Sequence, residues 1–388
     1  MSKKAVLVGC NYPGSQAELA GCVNDAFMIK GFLTEYKGFS EDDITMLIDT
    51  DDSYTSPTGA NIKSALTTMC SGSQPGDVLV FHFSGHGTQV ASDGDDHEED
   101  RKDEAICPTD MNLLVDDDLK DIVARIADGV DFTFISDCCH SGSMLDHAEV
   151  QIEGPKAGGT GQHLPEPSSL ISFLGGSRDI DPAEVGVKSR ELKPDIVANI
   201  LSQKLGRTVG TRDIRSSLGS IFGPEASQFL SILGIGGSSG TASAVSSLVG
   251  ALSGGSAPAE QPSSGGGGGF GGLLGQVASA VGGDSAPATQ AAPAPTTSAP
   301  SRPGPLGDDK GILITGCQAH ETSADVRPPG GDAFGALTHT LVTVLKENPD
   351  GSYIETVTKV RAAMVEKKFA QNPCLECSEM NAEKPFIC

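Results

Sequence analysis

Short apolar runs alternate with stretches of helical spacing across the first 150 residues. Ala5-Val6-Leu7-Val8 closes on Gly9 and reads as a buried strand. From Ala17 to Tyr36, apolar residues recur at helical intervals (Leu19, Val23, Phe27, Phe32, Leu33). Ile44 to Ile48 reads as a second strand and Thr58 to Met69 as a second helix. Val78 to Phe83 is the most apolar run and a third strand. Leu119 to Ile126 reads as a short amphipathic helix, and Phe132 to Ile135 as a fourth strand. This alternation predicts an α/β fold with a mostly parallel central sheet and helices on both faces.

The pattern decays from Gln151. Asp195 to Leu205 still reads as a helix. Residues 235–308 are dominated by Gly, Ser, Ala and Pro, with five consecutive glycines from Gly265 to Gly269 and one apolar island, Phe270 to Leu274. Such a composition cannot bury enough apolar area to offset chain entropy and predicts a flexible linker. Order resumes with a strand at Gly311 to Gly316 and helices at Ala333 to Lys346 and Ile354 to Lys367. The last twenty residues read as an irregular tail with Pro385 to Ile387 as an edge strand. The predicted organisation is a large region over 1–150, an insertion over 151–310 ordered to about 234, and a small region over 311–388 that completes the sheet.

Composition narrows the function. The 388 residues hold 51 acidic and 27 basic side chains, a formal net charge of −24. No basic patch is available to neutralise phosphates, which argues against a nucleic-acid partner. The acidity suits metal ions or substrates bearing Lys and Arg. Ala5 to Val8 is too short for a signal core, and no apolar run is long enough to span a membrane. Ten scattered cysteines, two of them adjacent, read as reduced thiols and predict a cytoplasmic protein rather than a disulfide framework.

Two clusters carry chemistry. Ser84-Gly85-His86-Gly87 follows the third strand, and Asp137-Cys138-Cys139-His140-Ser141-Gly142 follows the fourth. Ligands of open parallel sheets gather beyond the carboxyl ends of the strands, so the two clusters are expected to meet. A cysteine attacks as thiolate and needs a base beside it. His86 can accept the Cys139 proton and later protonate a leaving amine. The N–H groups of Gly87 and Cys139 can form an oxyanion hole. Cys138 competes as nucleophile and His140 as base. Neighbouring side chains of an extended segment face opposite ways, so only one of the two cysteines faces a cleft. Taken singly, each residue also reads as a buried structural cysteine or a core histidine.

These clusters, with Gly21-Cys22-Val23-Asn24-Asp25-Ala26 and the segment from Gly311 to Asp325, resemble the metacaspases, relatives of the caspases. The resemblance covers 1–150 and 310–388. The long insertion and the lack of a Pro-rich N-terminal region resemble the type II subclass of green plants and algae. The resemblance implies a caspase-like fold and a cysteine endopeptidase, with the cysteine before His-Ser-Gly, Cys139, as nucleophile. Cys138 stands where many plant relatives have Ser. Asp25 and Asp137 match the acids of the first specificity pocket. Two converging carboxylates repel each other, and a substrate guanidinium or ammonium relieves this, so cleavage after Arg or Lys is implied. Aspartate specificity, as in caspases, is rejected.

Between Asp93 and Asp118 stand twelve acidic and two basic residues. Hard cations take several carboxylates. The resemblance implies calcium, with Asp100, Asp116, Asp117 and Asp146 as ligands, and Asp93, Asp95, Asp96, Glu98 and Glu99 as a second, weaker site. It also implies a zymogen that cuts itself in the insertion. Lys204, Arg207, Arg212 and Arg215 are the basic candidates, and one of them is expected to fill the acidic pocket. Arg212 to Gly223 resembles the self-cleavage region of type II relatives, which predicts processing at Arg212 or Arg215. A monomer acting in stress response or programmed cell death is the family expectation. A scaffold of the same fold, without proteolysis, is the alternative. Cys374-x-x-Cys377 lacks a second pair at zinc spacing.

Overall fold

Alternate residues of the first strand are buried on opposite sides of one sheet. Val6 and Val8 join one apolar cluster, and Ala5 and Leu7 join another. The computed structural model describes residues 1–91, 102–139, 150–151, 185–223, 310–318 and 321–388. All of them belong to one compact unit, Met1–Ile235 with Arg302–Cys388.

The central sheet has seven strands. In chain order they are β1 (Lys3–Gly9), β2 (Ile44–Ile48), β3 (Val78–Ser84), β7 (Asp131–Asp137), β8 (Val150–Gln151), β10 (Ile312–Thr315) and β13 (Cys374–Cys377). Their spatial order is β2-β1-β3-β7-β10-β13-β8. The first five in that order are parallel, and β13 and β8 close the far edge antiparallel. Two three-stranded sheets flank the carboxyl ends of the parallel strands. One holds β4 (His86–Ala91), β5 (Lys102–Cys107) and β6 (Leu114–Val115). The other holds β9 (Gly186–Ser189), β11 (Ala324–Arg327) and β12 (Phe334–Gly335).

The helices are α1 (Cys22–Tyr36), α2 (Gly59–Ser71), α3 (Asp116–Val123), α4 (Pro194–Leu205), α5 (Ile214–Phe222), α6 (Ala336–Glu347), α7 (Tyr353–Glu366) and α8 (Glu379–Ala382). Apolar residues of α1, α6 and α7 pack in the Leu7 cluster, and those of α2, α3, α4 and α5 in the Val6 cluster. Leu192, Val197, Leu201, Ile214 and Leu218 lie in that second cluster, so residues 185–223 share the core of the first region.

Several elements differ from the sequence reading. Helix α1 starts at Cys22 rather than at Ala17, because Asn11 Oδ1 accepts the N–H groups of Cys22 (2.9 Å) and Val23 (3.3 Å). A cap supplied from outside the helix leaves no local signal. Helix α3 starts at Asp116, with three aspartates in its first turn where the helix dipole favours negative charge. The expected tail contains a buried strand, β13, on which Cys374 and Cys377 sit. Pro385 makes only an isolated bridge to Ser352, and no strand forms over 385–387.

Candidate active site

Strands β3 and β7 pair in parallel with Ser84 opposite Asp137. His86 and Cys139 therefore each stand two residues beyond neighbouring strand ends. The chains approach closely there: a Cβ at position 87 would overlap the Cys139 carbonyl oxygen, which is why only glycine fits. Cys139 is fully buried, and its Sγ accepts the Ser323 N–H at 3.0 Å. Cys138 Sγ lies 3.2 Å from Ser136 Oγ and belongs to the apolar cluster of Val6 and Phe83.

The imidazole of His86 is held by its far nitrogen. Nε2 lies 2.8 Å from the Ala17 carbonyl, which can only accept, so Nε2 carries the proton. Nδ1 is buried and has no hydrogen-bond partner among the described residues. Tyr12 packs against the ring at 5.0 Å between centroids. Its hydroxyl accepts the His86 backbone N–H at 2.8 Å and donates to the Cys107 carbonyl at 2.6 Å. Burial pushes the imidazole pKa down to about 4, so the ring is neutral with its lone pair on Nδ1.

Beside this pair lies an acidic hollow, and Arg190 fills it. Its Nη2 is 2.8 Å from Asp25 Oδ2 and 3.1 Å from Asp325 Oδ1, and its Nη1 is 3.1 Å from Asp137 Oδ1. Nη1 also donates to Ser84 Oγ at 2.8 Å and to the Asp137 carbonyl at 2.9 Å. The carboxylates are held independently of the guanidinium. Asp25 accepts the Gly335 N–H (2.8 Å) and the Ser84 hydroxyl (2.7 Å). Asp137 accepts the N–H and hydroxyl of Thr338 in the first turn of α6, both at 2.8 Å. Asp325 accepts the N–H groups of Ala20 (3.0 Å) and Gly21 (2.9 Å). Burial raises the Asp25 carboxyl to about 6; Arg190 opposes this and Asp137 adds to it.

The backbone of the Arg190 segment is also docked. Strand β9 pairs antiparallel with β11, Ser189 opposite Ala324 and Val187 opposite Val326. Arg190 N–H donates to the Ser323 carbonyl at 3.0 Å. Its own carbonyl accepts the Gly87 N–H at 3.0 Å, and Leu192 N–H donates to the Gly87 carbonyl at 2.9 Å. The segment thus runs as an extended strand between β11 and β4, past Cys139. The expectation that Lys204, Arg207, Arg212 or Arg215 fills the hollow is corrected. Lys204, Arg207 and Arg212 are exposed, and Arg215 pairs with Asp103 at 2.7 Å. Helices α4 and α5, which carry or flank these residues, pack in the Val6 cluster.

Comparison with known proteins agrees with this geometry. The family model described as metacaspase, peptidase C14 domain, matches residues 3–148. Metacaspase-4 of Arabidopsis thaliana is 36% identical over 442 aligned residues, covering 100% of both chains. The chain belongs to the metacaspase family. Metacaspase-7 and metacaspase-6 of the same plant are each 34% identical, again over 100% of both chains. These full-length matches place it with the plant type II metacaspases, as a cysteine-type peptidase acting on proteins. A solved protein of Geobacter sulfurreducens superposes with a TM-score of 0.52 over 99% of this chain and 97% of its own; at 17% identity it bears on the fold alone. Among the described residues no helix is long and apolar enough to cross a membrane.

The metacaspase also gathers carboxylates away from the cleft. Asp103, Asp116 and Asp117 offer oxygens that lie within 4.8 Å of one another. The chain's own cations hold all three: Lys120 Nζ is 2.9 Å from Asp116 and 4.0 Å from Asp117, and Arg215 is 2.7 Å from Asp103. Among the described residues, Asp116 Oδ1 is buried without a hydrogen-bond partner. Three hard oxygen donors with one unsatisfied oxygen fit a calcium ion. Of the expected ligands, Asp100 and Asp146 lie outside the described residues, as do the residues of the second acidic site and His140. Sequence reasoning missed Asp103, which sat unremarked in the acid-rich run. It also missed Asp325, the last residue of a segment already noted for its resemblance. Ser323 lies in that same segment, and Tyr12 and Arg190 carried no signal beyond residue type.

Proposed function

We propose that this metacaspase is a calcium-dependent endopeptidase that cleaves after Arg or Lys, and that Arg190 is its own first substrate residue. The observation that carries this reading is the double engagement of Arg190. Its guanidinium is bonded to Asp25, Asp137 and Asp325, while its carbonyl accepts the Gly87 N–H at 3.0 Å. A cationic side chain in the hollow thereby sets the following peptide bond, Arg190–Glu191, at the strand ends that carry His86 and Cys139. The fixed tautomer of His86 leaves Nδ1 to take the proton of the Cys139 thiol. The thiolate then adds to the carbonyl carbon. The N–H groups of Gly87 and Cys139 stabilise the oxyanion. The proton on Nδ1 passes to the leaving amine as the C–N bond breaks, and water hydrolyses the thioester.

The same docking explains restraint. While Arg190 occupies the hollow, no other Arg or Lys can enter. Calcium bound by Asp103, Asp116 and Asp117 would neutralise converging carboxylates and compete with Lys120 and Arg215 for them. Arg215 stands on α5, in the insertion that also carries Arg190, so its release from Asp103 frees one tie between insertion and core. A role in stress response or cell death stays a family expectation.

The test is incubation of purified full-length chain with and without calcium, followed by mass spectrometry of new N-termini. A calcium-dependent new terminus at Glu191, missing in Cys139→Ala, is expected. New ends only after acidic or apolar residues, or only after Arg212 or Arg215, would overturn the assignment. A binding activity that survives Cys139→Ala, with no new ends in either protein, would favour the scaffold alternative.

A further inference from the structure

Cys317 has no part in the chemistry above, yet it sits against the nucleophile. Strands β7 and β10 are parallel neighbours with Thr315 opposite Ser136. The Gly316 N–H donates to the Ser136 carbonyl at 2.9 Å, so the pairing continues past the strand ends. Cys317 therefore stands beside Cys138 and one residue from Cys139. Adjacent strands run about 4.8 Å apart and successive residues about 3.3 Å, so positions offset by one residue, as 317 and 139 are, lie roughly 6 Å apart between Cα atoms, a distance a disulfide spans. Both sulfurs turn to one short loop. Cys139 Sγ accepts the Ser323 N–H at 3.0 Å, and Cys317 Sγ lies 3.5 Å from the Glu321 carbonyl and 3.9 Å from the Cys138 carbonyl.

The Cys139 side chain beside it is the first cause that raises the Cys317 thiol above its ordinary value, and burial adds to it.

We propose that Cys317 is a resolving cysteine for Cys139, so that a peroxide converts the active site reversibly into a Cys139–Cys317 disulfide. The inference rests on Cys139 being the nucleophile. The Cys139 thiolate attacks one peroxide oxygen; the O–O bond breaks, hydroxide leaves and takes a proton as water, and a sulfenic acid remains. The Cys317 sulfur then attacks the sulfenic sulfur. The S–O bond breaks, and the departing hydroxide takes the Cys317 proton as a second water. Two thiols are oxidised and one peroxide is reduced. Cys138 is the poorer partner: it neighbours Cys139 in sequence, and its sulfur is 3.2 Å from Ser136 Oγ. A Cys139–Cys317 link denies Cys139 to substrates, and also spares it from irreversible oxidation to sulfinic acid.

The experiment treats purified full-length protein, in calcium, with stoichiometric hydrogen peroxide. Cysteine-containing peptides are mapped without reduction, and peptidase activity is read before and after a thiol reductant. A cross-linked 139–317 peptide, with loss of activity that the reductant reverses, is expected. Cys317→Ser should lose activity in a way no reductant restores, with Cys139 recovered as sulfinic or sulfonic acid. A wild-type map with Cys139 unmodified, overoxidised beside a free Cys317, or linked only to Cys138 would overturn the proposal. So would equal recovery of the wild type and the variant. The wild-type map decides alone if Cys317→Ser fails to fold. It needs no hydrolysis, so a cross-link in a chain without peptidase activity would refute the peptidase reading and leave the thiol pairing standing.

Discussion

Arg190 Nη2 and Asp25 Oδ2 lie 2.8 Å apart, and both side chains are wholly withdrawn from solvent. Asp137 and Asp325 join the same guanidinium. One cation among three buried carboxylates is stable only because backbone N–H groups and hydroxyls hold the acids in place. The acids are therefore set in place independently of the guanidinium, and under the proposed self-cleavage Arg190 is the occupant that a substrate cation would replace.

Removing Arg190 leaves those carboxylates without their counter-charge. Breaking a buried ion pair costs about 3–5 kcal/mol. The hydrogen bonds from Ser84, Gly335, Thr338, Ala20 and Gly21 place Arg190→Ala at the lower end of that range. Thermal unfolding of Arg190→Ala should shift to lower temperature, and no new terminus should arise at Glu191 in calcium. Arg190→Lys should keep that terminus. An unchanged melting temperature in Arg190→Ala would mean that the guanidinium is not the buried counter-ion.

Asp325 was outside the expected pocket pair, yet it lies 3.1 Å from the same Nη2. A hydrogen bond to a charged group contributes about 1.5–3 kcal/mol, so Asp325→Asn should lower kcat/KM on arginine peptides roughly 10- to 100-fold. Asp25→Asn should do the same. The loss should appear largely in KM, since the contact forms on binding. Steady-state kinetics on short fluorogenic peptides reads the split.

Acid should empty the hollow. Burial raises the Asp25 carboxyl to about 6, with Asp137 adding and Arg190 opposing. Cation binding needs the charged form, so affinity is full above that value and falls as pH drops through it. In the opened enzyme the opposing guanidinium is gone and the carboxyl lies higher still, so kcat/KM on an arginine peptide should already be falling at about pH 6 and decline further below it, in proportion to the carboxylate remaining. A flat profile down to pH 5 would show the acid pair to be uncoupled from substrate.

Arg215 competes with calcium if the Asp103 group binds it. Both side chains of this pair are buried, and breaking a buried pair costs about 3–5 kcal/mol, so its removal should shift a calcium midpoint by well over tenfold. Arg215→Ala should reach half-maximal self-processing at lower calcium than wild type. Asp116→Asn should need more. Titration of the Glu191 terminus against calcium reads both.

The strand-end clusters were legible because glycine, histidine and cysteine follow short apolar runs, and period-2 burial is a local property of those runs. The sheets β4-β5-β6 and β12-β11-β9 were not. Lys102 to Cys107 is half charged, and Gly186 to Ser189 gains its place only by pairing with Ala324–Arg327, more than a hundred residues away. Asn11 capping α1 belongs to the same class.

From its residues alone the chain fixes a parallel α/β sheet, a histidine and a cysteine at neighbouring strand ends, and an acidic character suited to cations. Those follow from local periodicity and residue chemistry. Tertiary structure decided which arginine lies in the hollow, that Asp325 joins it, and that Cys317 lies beside Cys138 and Cys139. Each depends on segments far apart in sequence meeting across β7, β10 and β11, and no local pattern encodes which distant partner a buried charge or thiol will find.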